Sequence, residues 1–336
     1  MYAAVPNDET TKQMGLFQRP VRGTQTMQKE KVLIIKLGYS ETLVGEVSRT
    51  TSLGDVLRSA VILSRYKDAH VTWLVDEKAI ALLKGNPYIS RILTYDLTNV
   101  LQLKAERFDT IINLEKVAGV CAFADSLTGW RRYGFRFDPE TGDTNAYDGS
   151  HHVLEICLNQ KDKIANTKYW EDILFGMVGG QWQGEVPSIG YKPSSIVKYD
   201  IGFNHHVGEK WPIKAWPAEH WKELEALING KYSISWQQGL KSIEDYIEWI
   251  NSCALIVTND SLGLHIAHAL EKKIISFFGP TVSNEVYIKH GVKLLPEKKY
   301  DCLPCLSNVC IKERPCLYDI SPRTVYDLVE KYLGKL

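Results

Sequence analysis

The chain has 336 residues, 44% of them hydrophobic, which is enough to bury two cores of ordinary size and makes two domains the expectation. Its 40 basic and 40 acidic residues cancel, so it carries no broad footprint for nucleic acid. No apolar stretch approaches the roughly 18–20 residues needed to span a bilayer, and no apolar leader opens the sequence, so a cytoplasmic protein with at most peripheral membrane contact is expected.

Residues 1–29 mix Thr, Gln, Asn, Pro and Gly with little periodicity and read as a flexible tail, with Met27 as a plausible natural start. Residues 31–37 (KVLIIKL) form a short apolar run, as expected of a strand buried on both faces. Residues 56–64 are apolar at helical spacing. Strands follow at 71–75 (VTWLV), 92–95 and 110–113 (TIIN), with a helical stretch at 79–83. Short strands alternating with helices predict βαβ units and a parallel sheet. WRRYGFR at 130–136 reads as a local basic patch or a solvated turn.

The stretch at 183–200, rich in Gly, Pro and Ser, is the best linker candidate. The pattern then restarts: strand 199–204, helix 218–228, strand 232–236, helix 243–250, and apolar runs at 253–257 and 274–278. The expected domains are an N-terminal α/β half at 30–185, a second at 198–320 and a C-terminal helix from 321. Two such halves place a ligand in the cleft between them, at the carboxyl ends of the strands.

Three sites stand out. In VTNDSLGLHIAHAL (257–270) an apolar run ends in Asn259, Asp260 and Ser261 just before a helical segment. Backbone N–H groups at that helix start and the helix dipole suit a phosphate. Ser261 supplies a hydroxyl, Gly263 allows close approach to the backbone, and His265 lies one turn on; the plainer reading is that these residues cap the helix. In TSLGDVL (51–57), Ser52 and Asp55 have capping-box spacing, with Asp55 as a candidate general base instead. Cys302, Cys305, Cys310 and Cys316 are four of the seven cysteines, at C-x2-C-x4-C-x5-C spacing. Such a cluster in a reducing compartment predicts one structural metal held by four thiolates, Zn²⁺ first and Fe²⁺/Fe³⁺ as the alternative. Lys210 and Lys214 follow a strand, where an ammonium can meet a diphosphate; His205 and His206 follow the same strand.

Taken together, LIIKL followed by SLGDVL, TWLVDE at 72–77, KAWPAEHW at 214–221 and TNDSLGLHIAHAL with FFGPT resemble glycosyltransferase family 9, the ADP-heptose:lipopolysaccharide heptosyltransferases. The resemblance covers about residues 30–333. It implies two facing Rossmann-like domains (the GT-B architecture), an N-terminal acceptor domain and a C-terminal nucleotide-sugar domain, and an inverting transfer without a catalytic metal. It also implies Asp55 as general base and Lys214 on the donor phosphates. Asp260 falls on the donor sugar, and Ser261, Leu262, Gly263, Leu264 and His265 on the diphosphate region. The donor would be ADP-heptose and the acceptor a surface glycan or a protein, and the family leaves room for a homo-oligomer. The chain departs from the family in an insertion at 39–51 and in Leu262, where Gly is usual. The cysteine cluster is similar to the metal finger of autotransporter heptosyltransferases. Rival readings are a nucleotide-sugar epimerase of the same architecture and a non-catalytic nucleotide- or glycan-binding protein.

Overall fold

The computed structural model describes residues 29–39, 51–239 and 241–334. The tail at 1–28 and positions 40–50 of the insertion lie outside the described residues.

The first half holds β1 (Lys31–Ile35), α1 (Leu53–Ser59), β2 (His70–Val75), α2 (Ile80–Leu83), β3 (Arg91–Thr94), α3 (Leu97–Ala105) and β4 (Arg107–Asn113). It continues with α4 (Ala118–Asp125), β5 (Thr128–Phe137), β6 (Thr144–Ala146), α5 (His151–Leu158), α6 (Gln160–Ala165) and α7 (Trp170–Met177). Its sheet runs β3-β2-β1-β4-β5-β6 and is parallel up to β5, with β6 antiparallel at the edge. The second half holds β7 (Tyr199–Asn204), α8 (Ala218–Ile228), β8 (Ile234–Trp236), α9 (Ile243–Asn251), β9 (Cys253–Asn259), α10 (Leu262–Ala269), β10 (Lys273–Phe277), β11 (Gly291–Leu294) and α11 (Pro322–Leu333). That sheet is parallel throughout, in the order β11-β10-β9-β7-β8. Both orders are those of doubly wound sheets, each with a switch point: between β1 and β4 in the first, between β7 and β9 in the second.

Burial explains why the strands were readable. Val32 to Ile35 and Leu255 to Val257 are fully buried, so both faces of these strands demand apolar side chains. The second half has its own core, in which Trp216 stacks on Phe277 at 4.6 Å and Val325 and Val329 of α11 close the far side. The halves are not separate droplets, however. Val56 and Leu57 of α1 belong to one apolar cluster with Tyr246 and Ile250 of α9 and Leu264 of α10.

Some expectations shift. The helix expected at 56–64 is α1 from Leu53, followed by a 3₁₀ segment from Ala60 to Tyr66. The basic patch at 130–136 is part of β5, and its guanidinium groups are occupied: Arg131 pairs with Glu30 at 2.7 Å and Arg132 donates to the Ala124 carbonyl at 2.8 Å. The stretch at 183–200 is extended but tied down. The backbone N–H groups of Ser194 and Ser195 both donate to the Glu248 carboxylate, at 2.9 and 2.8 Å.

Candidate functional site

The carboxyl ends of β7 and β9 meet at the second sheet's switch point, and each side chain there is already engaged. Asn204 donates from Nδ2 to the hydroxyls of Thr258 (2.7 Å) and Ser261 (3.0 Å). Asn259 accepts from the Trp216 backbone N–H at 2.8 Å and donates to the His205 carbonyl at 2.8 Å. Asp260 Oδ2 receives Lys214 Nζ and the Thr281 hydroxyl, both at 2.7 Å. Ser261 occupies the N-cap of α10, yet no side chain closes a capping hydrogen bond there. The helix start is left facing the cavity, and the capping explanation for Asn259-Asp260-Ser261 falls away.

The charges follow from this packing. Burial pushes the Asp260 carboxyl up, but Lys214, His265 and the hydrogen bonds from Lys214 and Thr281 outweigh it and hold the group below the usual carboxylate range. Burial, reinforced by the Arg58 guanidinium, pushes the His265 imidazole down to about 3, so it is neutral at pH 7.

On the other side stands Asp55, in the first turn of α1. Its helix start is fixed from behind by the switch point of the first sheet. Glu115, fully buried, accepts from the backbone N–H groups of Leu37 (2.7 Å) and Gly38 (2.8 Å) and lies 3.2 Å from Lys36 Nζ. The Gly38 carbonyl accepts from the Ser52 N–H at 2.7 Å, closing the base of the insertion. Gly38 has φ +88°, and a Cβ there would stand 3.0 Å from the Ser52 carbonyl oxygen, so the turn requires glycine. Ser52 sits at the N-cap of α1 without a side-chain cap bond, so the capping-box reading of Ser52 and Asp55 is not realised.

Asp55 and the Lys214–Asp260 pair line one cavity of about 710 Å³ between the halves, together with Ser261, Leu262 and His265. Across it α1 and α10 touch. A Cβ on Gly54 would come within 2.9 Å of His265 Cδ2, so only glycine lets the histidine close the gap. Gly263 and Leu264 stand behind the wall. The space beside Gly263 is taken by Asn204 Nδ2 and the Tyr246 hydroxyl, each 2.3 Å from where a Cβ would be, and Leu264 is core. The glycine therefore serves internal packing. His205 and His206 lie against each other with ring centroids 4.0 Å apart and planes tilted by 38°, and His205 meets Trp236 edge-on. Thr281 was missed by sequence reasoning. Its position just past β10, next to the carboxyl end of β9, is the signal that points to it.

The cysteine segment leans on the same cavity. Leu306 lines it and donates its N–H to the Pro280 carbonyl at 2.8 Å, while a Cβ on Gly279 would lie 2.8 Å from Cys316 Sγ. All four cysteines are free thiols, with Cys302 exposed and Cys305, Cys310 and Cys316 half-buried. Burial, followed by the nearby Cys305, Cys310 and Cys302, pushes the Cys316 thiol up to about 11, so the four share a neighbourhood. Among the described residues, however, no three or more His, Cys, Asp or Glu side chains converge as a metal would require.

The sequence model of glycosyltransferase family 9 (heptosyltransferase) matches residues 239–314, which include β9, α10 and the first three of the four clustered cysteines. Lipopolysaccharide heptosyltransferase 1 of Campylobacter coli is 23% identical, over 86% of this chain and 98% of its own length. Lipooligosaccharide heptosyltransferase 2 of Campylobacter jejuni is 27% identical, over 84% and 96%. The chain is thus similar to glycosyltransferase family 9 over residues 239–314 and to heptosyltransferases over most of its length. These heptosyltransferase relatives indicate a transferase enzyme. The fold agrees: E. coli ADP-heptose lps heptosyltransferase II superposes with a TM-score of 0.62 at 15% identity, covering 90% of this chain and 98% of that one. E. coli heptosyltransferase WaaC with ADP-2-deoxy-2-fluoro heptose gives 0.57 at 17%, covering 89% and 99%. The iron-containing dodecameric glycosyltransferase TibC of enterotoxigenic E. coli gives 0.54 at 14%, covering 91% and 76%.

Proposed function

We propose that this chain transfers heptose from ADP-heptose to a hydroxyl of a lipopolysaccharide-type glycan, with inversion at the anomeric carbon. The observation that carries the reading is a single cavity with Asp55 on one wall and the Lys214–Asp260 pair with the open start of α10 on the other. Residues 30–185 form the acceptor domain and 198–320 the donor domain, with the helix from 321 packed on the latter. Asp55 removes the proton from the acceptor hydroxyl as its oxygen attacks the anomeric carbon. The bond from that carbon to the diphosphate oxygen breaks with its electron pair, and ADP leaves. Asp260 holds the sugar hydroxyls. Lys214, Ser261, Leu262, neutral His265 and the N–H groups opening α10 offset the charge that grows on the diphosphate. No residue in this scheme calls for a catalytic metal.

The cysteines are a separate matter. Four soft thiols in one fifteen-residue segment suit one Zn²⁺ or iron ion, and a relative of the same fold, TibC, is described as iron-containing and dodecameric. In this structure they are neighbours that have not converged, so a metal would draw Cys302, Cys305, Cys310 and Cys316 together and stiffen the segment that leans on Pro280. Its part is structural. A homo-oligomer and action at the cytoplasmic membrane face, with peripheral contact only, complete the reading; no helix among the described residues is long and apolar enough to cross a membrane.

Asp55→Asn is the decisive variant. A general base is worth about 10²–10⁴-fold, so transfer should fall by that factor while ADP-heptose binds within about twofold of wild type. Transfer near the wild-type rate would overturn the assignment.

A further inference from the structure

Asp55 and Asp260 stand on different halves, so their separation depends on what ties the halves together beside the cavity. The tie runs through one turn. The 3₁₀ segment Ser283–Glu285 closely follows Thr281, whose hydroxyl meets Asp260 at 2.7 Å. Two cations capture backbone carbonyls of that turn. Arg58 of α1 donates to the Glu285 carbonyl at 2.9 Å, and Lys293 of β11 donates to those of Ser283 (2.8 Å) and Val286 (2.9 Å). Both cations also face aromatic rings of the first half: Arg58 lies 5.7 Å from the Trp170 ring centroid and Lys293 5.4 Å from that of Tyr169. Next to these rings in sequence is Glu171 of α7, which is buried, and one of its carboxylate oxygens accepts no hydrogen bond among the described residues. Burial pushes the Glu171 carboxyl up, and Arg58 first, then its own backbone N–H and Lys293, pull it back.

A buried carboxylate is costly unless charge compensates it, and here the compensating cations come one from each half. Arg58 follows Asp55 by three residues on α1, which puts both on one helix face. We propose that Arg58 is a positioning residue: by gripping the Glu285 carbonyl from α1 it fixes Asp55 at its working distance from Asp260, with Glu171 holding the guanidinium in place. This inference rests on the transfer reading above and adds to it a residue that touches neither the donor nor the acceptor. The connection is short, running along one helical turn from Asp55 to Arg58, across to Glu285, and back along the turn to Thr281 and Asp260. Loosening it would let α1 shift against the wall that holds Asp260. A misplacement of about 1 Å at the reacting atoms costs on the order of 10²-fold in rate.

Steady-state kinetics on the full chain tests the assignment, with ADP-heptose as donor and lipopolysaccharide extracted from a heptose-deficient strain as acceptor. Rates are taken per ADP-binding site counted by calorimetry, so that unfolded protein does not contribute. Arg58→Ala should lower kcat roughly 10- to 100-fold. The KM for ADP-heptose and the Kd of ADP should stay within about twofold of wild type, because the side chain does not meet the donor. Guanidinium chloride at low millimolar concentration can enter from the cavity and should restore part of kcat, a response that a folding defect would not give. Glu171→Gln keeps the size of the side chain and removes its charge. It should lower kcat by a smaller factor with ADP affinity unchanged, and it carries the test if Arg58→Ala fails to fold. A kcat per site close to wild type in the folded variants, ADP weakened in step with the rate, or a loss that guanidinium leaves unchanged overturns the assignment. Wild-type protein that transfers no heptose from ADP-heptose would overturn the transfer reading itself, and this inference with it.

Discussion

At the scale of single residues, the wall around Asp260 commits its partners in advance. Asp260 is shielded and ionised because Lys214 and the Thr281 hydroxyl share one of its oxygens, so its other oxygen has a fixed direction. Thr281→Val removes one of those partners without changing the size of the side chain. ADP-heptose affinity should then fall by about 1.5 kcal/mol, roughly tenfold, with ADP itself little changed and Thr281→Ser close to wild type. Equal losses for ADP and ADP-heptose by calorimetry would place Thr281 outside sugar recognition. The hydroxyl could not be singled out in the sequence. FFGPT shows a turn after an apolar strand, but which carboxylate the threonine meets depends on β10 lying beside β9.

At the scale of elements, α1 and α10 decide the geometry of the cavity. They belong to different halves, and Gly54 lets His265 close between them. Burial, then Arg58, holds both His265 and His268 on α10 low, at about 3 and about 4, against an ordinary value near 6.5. The folded helix thus keeps both imidazoles neutral, while the unfolded chain takes up protons below about pH 6.5. The stability linked to them is present above that pH and is lost as pH falls toward 4 and then 3. The melting temperature of wild type should drop between pH 7 and 4.5, and His268→Gln should drop less. Parallel curves for the two proteins would remove α10 as the source. The sequence offered the spacing of these histidines and nothing about their charge, because desolvation comes from side chains distant in sequence.

At the scale of the whole molecule, the cysteine segment is where fold and chemistry join. It runs between β11 and α11, and it touches the turn after β10 through Leu306 and Cys316. Elemental analysis of protein purified without added metal should find one Zn or Fe per chain. Chelation should lower the melting temperature before it impairs transfer, since the ion would replace a core the short loops cannot build. A metal content near zero with four reactive thiols would refute the site. The same preparation run on a sizing column would show whether the chain assembles.

The sequence by itself determined the α/β alternation, both parallel sheets, and the motifs that resemble family 9, because doubly buried strands such as β1 and β9 admit only apolar runs and those runs are local. It did not reveal β5, whose alternating arginines and aromatics look like a basic turn until Glu30 and Ala124 are brought beside them. It assigned Gly263 to a ligand when the space belongs to Asn204 and Tyr246. Only the tertiary structure decided that Lys214 is the lysine that meets Asp260, since Lys210 and Lys214 read alike four residues apart. Their difference lies in partners, and partners such as Asp260 arrive only when the carboxyl ends of β7 and β9 are laid side by side.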